Sequence, residues 1–216
     1  MRDGFGTEFY ENQVSGYEGI WKIGKPEGQG KEFDENQNLI YEGAWSLGQA
    51  EGKGKAYDEF GSLRYDGIWR NSKRDGRGIE YDEHGIKRYS GEFKNGKYEG
   101  KGTEFDEFGN KKAKGEFKAG LYQGKGAEFW PNGIIKYKGE FKNGKYEGKG
   151  MEYSEKGGMQ FKGGFRDGLN DGKGIRYNIK NEIVCQGYWK EGKLIDVVLD
   201  DMQKMKQYYI KDYDTY

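Results

Sequence analysis

The sequence predicts an all-β fold: an elongated, solenoid-like single sheet, built as a stack of antiparallel β-hairpins and followed by a C-terminal α-helix. Three observations predict it. A 24-residue pattern runs from Tyr17 without insertion or deletion. Glycines and aromatic rings recur at fixed positions within it. From Lys193 the pattern stops, and apolar residues return at helical spacing instead.

Full units begin at Tyr17, Tyr41, Tyr65, Tyr89, Ala113, Tyr137 and Phe161. A partial unit begins at Cys185, and residues 1–16 form the back half of an earlier one, with Gly4, Gly6 and Phe9 in phase. The predicted array therefore covers 1–192 and the predicted helix 193–216. Counting from the first residue of each unit, position 3 is always glycine, and positions 12 and 14 form a Gly-x-Gly pair. Position 1 is aromatic except at Ala113 and Cys185, and position 5 is tryptophan or phenylalanine. Position 17 is again aromatic, from Phe33 to Tyr177.

Strand alternation puts positions 1, 3 and 5 on one face. The glycine at position 3 leaves room between rings, and the Gly-x-Gly pair offers bare backbone for the position-5 ring. Segments such as KNGKYE and DEFG read as turns that reverse the chain. Position 17 has the wrong parity to share a face with position 14, which a bulge between them would correct. A lone hairpin buries too few rings to offset the entropy of ordering its backbone, so each unit must stack on a neighbour.

The pattern YxGxWxxGxxxGxG followed by an aromatic residue resembles the MORN repeat over roughly residues 1–192. The resemblance implies a hairpin array. It also implies settings in membrane junctions, cytoskeletal and ciliary scaffolds, and regulatory partnership with separate enzymes. No kinase or methyltransferase segment of the kind attached to some such arrays is present in this sequence.

Composition narrows the function. Lys plus Arg and Asp plus Glu are both 37, so nothing favours nucleic acid. His84 is the single histidine and lies in a turn, and Cys185 sits at a core ring position. The carboxylates recur as ladders, whereas a catalytic pair is unique and differently tuned. The expectation is a non-enzymatic, cofactor-free scaffold for a protein partner, with anionic phospholipid as the alternative ligand. Acidic position 11 and basic positions 6 and 13 read as solvated ladders, or as a track for phospholipid headgroups or an acidic partner. Lack of an apolar leader and of a membrane-length run gives a cytoplasmic expectation, with cytoskeletal or membrane association. The chain starts in mid-unit, and the expectation is either that the natural protein is longer or that another molecule, a second copy included, covers the strand edge.

Departures from the repeat supply the candidate contact residues. Tyr98, Tyr122 and Tyr146 occupy one turn position in successive units, either as partner contacts or as cover for the rim of the aromatic face. Position 4 is Ile20, Ala44 and Ile68 early in the array but Glu92, Glu116 and Glu140 later, so Ile20 and Ile68 mark either a contact surface or isolated exposed side chains. In the predicted helix, Met202, Met205 and Tyr209 share one face, which either caps the last hairpin or docks into a partner.

Overall fold

A computed structural model describes residues 2–198. The described residues form seventeen strands and no helix. They fall into two units, one holding residues 2–111 and 117–120 and the other 112–116 and 121–198.

The first unit contains β1 (Gly4–Phe9), β2 (Ser15–Lys22), β3 (Lys25–Phe33), β4 (Leu39–Ser46), β5 (Gln49–Tyr57), β6 (Leu63–Arg70), β7 (Lys73–Tyr81), β8 (Lys87–Lys94) and β9 (Lys97–Phe105). Each strand from β1 to β8 pairs antiparallel with the next. The division between units runs through β10 (Lys111–Lys118). The second unit continues with β11 (Leu121–Phe129), β12 (Ile135–Lys142), β13 (Lys145–Tyr153), β14 (Met159–Arg166), β15 (Leu169–Tyr177), β16 (Ile183–Lys190) and β17 (Lys193–Val197), again paired in sequence from β11 onward.

Within each hairpin, positions 7 and 8 make the tight turn. Both take positive φ, as in Asn95 (50°) and Gly96 (80°), which is the two-residue turn whose twist matches antiparallel strands. Between hairpins a side-chain acceptor closes the loop. Asp106 Oδ1 accepts from the N–H groups of Phe108 (3.0 Å) and Asn110 (2.8 Å), and Asp34, Asp58 and Asp82 act alike. These oxygens are engaged by backbone, so the DEFG and DEHG turns are structural.

The core is one layer of rings on one face. Each position-1 ring stands edge-on to the position-5 ring of its own hairpin and of the next. Tyr17 meets Trp21 at 5.1 Å and 85°, and Trp45 at 5.2 Å and 86°. Tyr41, Tyr65, Tyr137 and Phe161 repeat the arrangement. Such edge contacts are worth about 0.5–1.5 kcal/mol beyond burial, and those to the next hairpin link one repeat to the following one.

The structure changes three details of the sequence reading. First, the position-1 ring, rather than the position-5 ring, lies across the glycines. Glycines at positions 3 and 14 face each other across the hairpin, as Gly91 with Gly102. The tyrosine covers that pair, and its hydroxyl donates to the position-4 carbonyl, as Tyr89 to Glu92 at 3.1 Å. Two of the position-5 tryptophans instead donate to the preceding hairpin, Trp21 Nε1 to the Gly6 carbonyl at 3.1 Å and Trp69 Nε1 to the Gly54 carbonyl at 3.0 Å, while the buried indole N–H groups of Trp45 and Trp189 have no such bond.

Second, the irregularity lies elsewhere. Phe33 pairs with Leu39 while Glu32 pairs with Tyr41, so Ile40 is the extra residue, on the opposing strand. Position 17 keeps its parity and lies on the face opposite the ring layer. Tyr57 shows this by donating to Glu42 Oε1 at 2.7 Å, from position 17 to position 2.

Third, Lys193–Val197 is strand β17, not the start of a helix. Its pairing with β16 satisfies that strand's backbone groups, and Leu194 packs on the terminal ring cluster of Phe165 and Trp189. A strand thus provides the cap expected of a helix. The remainder of the predicted helix, with Met202, Met205 and Tyr209, lies outside the described residues.

Candidate functional site

Strand parity and register sort the repeat into two faces. Positions 1, 3, 5, 10, 14 and 16 belong to the ring layer, and positions 2, 4, 13, 15 and 17 to the other face. The candidate tyrosines at position 10 are on the ring side. Tyr98 stacks flat on Tyr89 at 3.8 Å and 3°, and Tyr146 on Tyr137 at 3.7 Å and 3°. Tyr146 also donates to Glu128 Oε2 at 2.7 Å. Tyr122 packs at a tilt against Phe141, 5.5 Å away, because its own unit has Ala113 where the stacking partner would be. All three are half-buried extensions of the core.

The acidic ladder at position 11 also has an internal role. Glu27 Oε2 accepts from the Leu47 N–H at 3.0 Å, and Glu51, Asp75, Glu99 and Glu147 each accept from the same turn position of the next hairpin. The acceptor straps each positive-φ turn to the hairpin before it. Gln123 does the same with Asn143 at 3.2 Å, so an acceptor is needed and a charge is not.

Burial pushes the ring-side phenols upward. Desolvation raises Tyr17 to about 12, helped by Glu27, and raises Tyr65 to about 12. On the other face Tyr57 is also pushed to about 12 by desolvation and its bond to Glu42. A raised phenol pKa contributes stability that is complete below the ordinary value of 10 and is lost as pH rises through the folded value. We therefore expect cooperative alkaline unfolding between pH 10 and 12, with tyrosinate absorbance rising in the same transition. Independent titration of the tyrosines near pH 10, with the sheet signal intact, would contradict it.

Side chains on the other face differ between repeats. Cross-strand pairing lines up positions 2 and 15 in one row. In the first unit this row runs from Thr7 through Glu18, Lys31, Glu42, Lys55 and Asp66, alternating in sign from neighbour to neighbour, and ends in the uncharged Ile79, Ser90 and Thr103. The Lys55–Glu42 pair closes to 3.7 Å. In the second unit the same row runs Ala127, Lys138, Met151, Lys162, Ile175, Gln186. Lys114 holds the corresponding place on β10. Acids are replaced by lysines, and lysines by half-buried apolar side chains.

This second row lines a groove of about 950 Å³ between residues 114 and 186. Phe129 adds a ring from position 17, and Lys125, Lys149 and Lys173 form a parallel file. Among the described residues none of these six lysines makes an ion pair. Of the two acids in the lining, Asp171 is engaged by Arg166 at 3.4 Å. The matching groove in the first unit is about 490 Å³ and carries Glu18, Glu42 and Asp66.

Of the position-4 candidates, Ile20 is 43% exposed and its Cδ1 covers Gly28. Ile68 is half-buried over Gly76. The lysine and apolar row was missed in the sequence reading. Its signal was present, as the change from Glu or Asp to Lys at position 2, but alignment with position 15 becomes visible only from the strand register.

Among the described residues no helix is long and apolar enough to cross a membrane. No curated protein matches the chain. The family model for the MORN repeat matches residues 17–38, 41–58, 65–83, 89–106, 114–135 and 137–159. The unit from Phe161, outside those matches, has the same ring geometry and the same Gly163–Gly174 pairing. Matches over more than half its length, joined to this repeating hairpin geometry, make the chain a member of the MORN-repeat family.

Proposed function

We propose that this protein is a non-catalytic binding scaffold whose repeats hold a protein partner within a larger assembly. One observation carries the reading. The recurrent residues are engaged within the fold: rings on glycines, position-11 acceptors on turns, and aspartates on loop backbones. Side chains that vary between repeats lie on the opposite face and line its grooves. A constant interior beneath a variable surface suits recognition.

The test is affinity purification of the tagged full chain from its native source, followed by cross-linking mass spectrometry. We expect a saturable protein partner cross-linked to lysines of the variable face. Recovery of no specific partner, or cross-links confined to the turns and the ring side, would sink the proposal.

A further inference from the structure

We propose that the groove spanning residues 114–186 receives an amphipathic α-helix of a partner protein, acidic at every seventh residue and apolar midway between. The inference rests on the scaffold reading above and names the chemistry of its partner.

The row dictates the occupant. Adjacent strands are about 4.8 Å apart, so Lys114, Lys138 and Lys162 repeat at roughly 10 Å, with Ala127, Met151 and Ile175 midway. A helix rises about 1.5 Å per residue, so seven residues span about 10.5 Å and return to nearly the same face. Carboxylates at that spacing meet each lysine in turn. Apolar side chains three or four residues further on fall near the apolar floor. An extended segment fits poorly. It covers roughly 10 Å in three residues, which sends successive acids to opposite faces. A lipid headgroup layer has charge but no apolar group midway between charges at the same depth.

The charges need an outside partner. In the first unit each lysine of the row has an acidic cross-strand neighbour, whereas Lys138 and Lys162 have only apolar ones. These lysines are exposed, while Met151 and Ile175 beside them are half-buried.

The probe is a synthetic helical peptide with glutamates at seven-residue spacing and leucines between them. It is compared with a scrambled isomer and with phosphatidylserine–phosphatidylcholine vesicles, at about 0.15 M salt. Fluorescence anisotropy of the full chain is expected to give saturable binding to the peptide, tighter than to the isomer by about tenfold or more. The triple variant K114E/K138E/K162E should weaken it at least about 100-fold. M151S/I175S should weaken it by roughly tenfold, and K31E/K55E should leave it unchanged. All substituted side chains are at least partly exposed, and circular dichroism checks that the sheet persists. Equal binding of the isomer, indifference to the triple reversal, or binding to vesicles but not peptide each overturns the proposal. A native partner captured equally by the triple variant would overturn this assignment while leaving the scaffold reading intact.

Discussion

Gly102→Ala is expected to destabilise the first unit by about 3 kcal/mol or more, whereas Gly126→Ala, at the same repeat position, should cost about 1 kcal/mol or less. A methyl group on Gly102 would fall inside the Tyr89 ring, which lies across the Gly91–Gly102 pair. The ring must then leave its site, losing its edge contact with Phe93 and its stack on Tyr98. The unit containing Gly126 has Ala113 at position 1 and so lacks that ring. A methyl there first meets the Lys114 carbonyl oxygen at 3.0 Å and Phe141 at 3.3 Å, which small shifts can relieve. Urea denaturation with amide hydrogen exchange, to locate the loss, measures both. Equal costs for the two variants would show that covering by the ring is not why position 14 is glycine.

The second large effect concerns the ring itself. Tyr137→Ala should cost about 3–5 kcal/mol, since it removes a fully buried ring and leaves a cavity. Tyr137→Phe should cost about 1 kcal/mol, for the single bond from its hydroxyl to the Glu140 carbonyl at 3.0 Å. Phe161 is the internal precedent. It holds position 1 without a hydroxyl, is 1% exposed, and still covers the Gly163–Gly174 pair. Thermal and urea midpoints of the two variants distinguish the terms. A phenylalanine variant as unstable as the alanine one would shift the weight from ring packing to the hydroxyl.

The two comparisons indicate what the repeat is for. The position-14 glycine lies under the ring, whereas position 3 needs glycine for the facing backbone as well: even beside Ala113, a methyl on Gly115 would come within 2.7 Å of the Gly126 Cα and 2.8 Å of the Lys125 carbonyl oxygen. Ala113 also lies where the chain divides into its two compact units. From there the position-2 residue is Lys114, Lys138 and Lys162, where the earlier units have Glu18, Glu42, Asp66 and Ser90. Loss of a core ring and reversal of surface charge thus begin within one strand.

Much of this could be read in the residues alone. The 24-residue period, the hairpins, the tight turns and the ring layer follow from glycine and aromatic spacing, because these act over a few neighbouring residues. Other features depend on residues distant in sequence. Glu27 and Leu47 are bonded across 20 residues, so a ladder read as solvated surface is a set of straps between hairpins. Lys138 and Met151 are cross-strand neighbours, and only the register puts them in one row. Parity in the return strand likewise decided that Phe129 lines the groove instead of joining the core.

The sequence by itself determined that this chain is a stack of MORN hairpins, because steric demands at glycines and rings are local and recur identically in each unit. Only the tertiary structure decided which face is free for a partner, how each turn is tied to the preceding hairpin, and that Lys193–Val197 is a strand. Those outcomes depend on which strand lies beside which, a relation the linear order of residues does not contain.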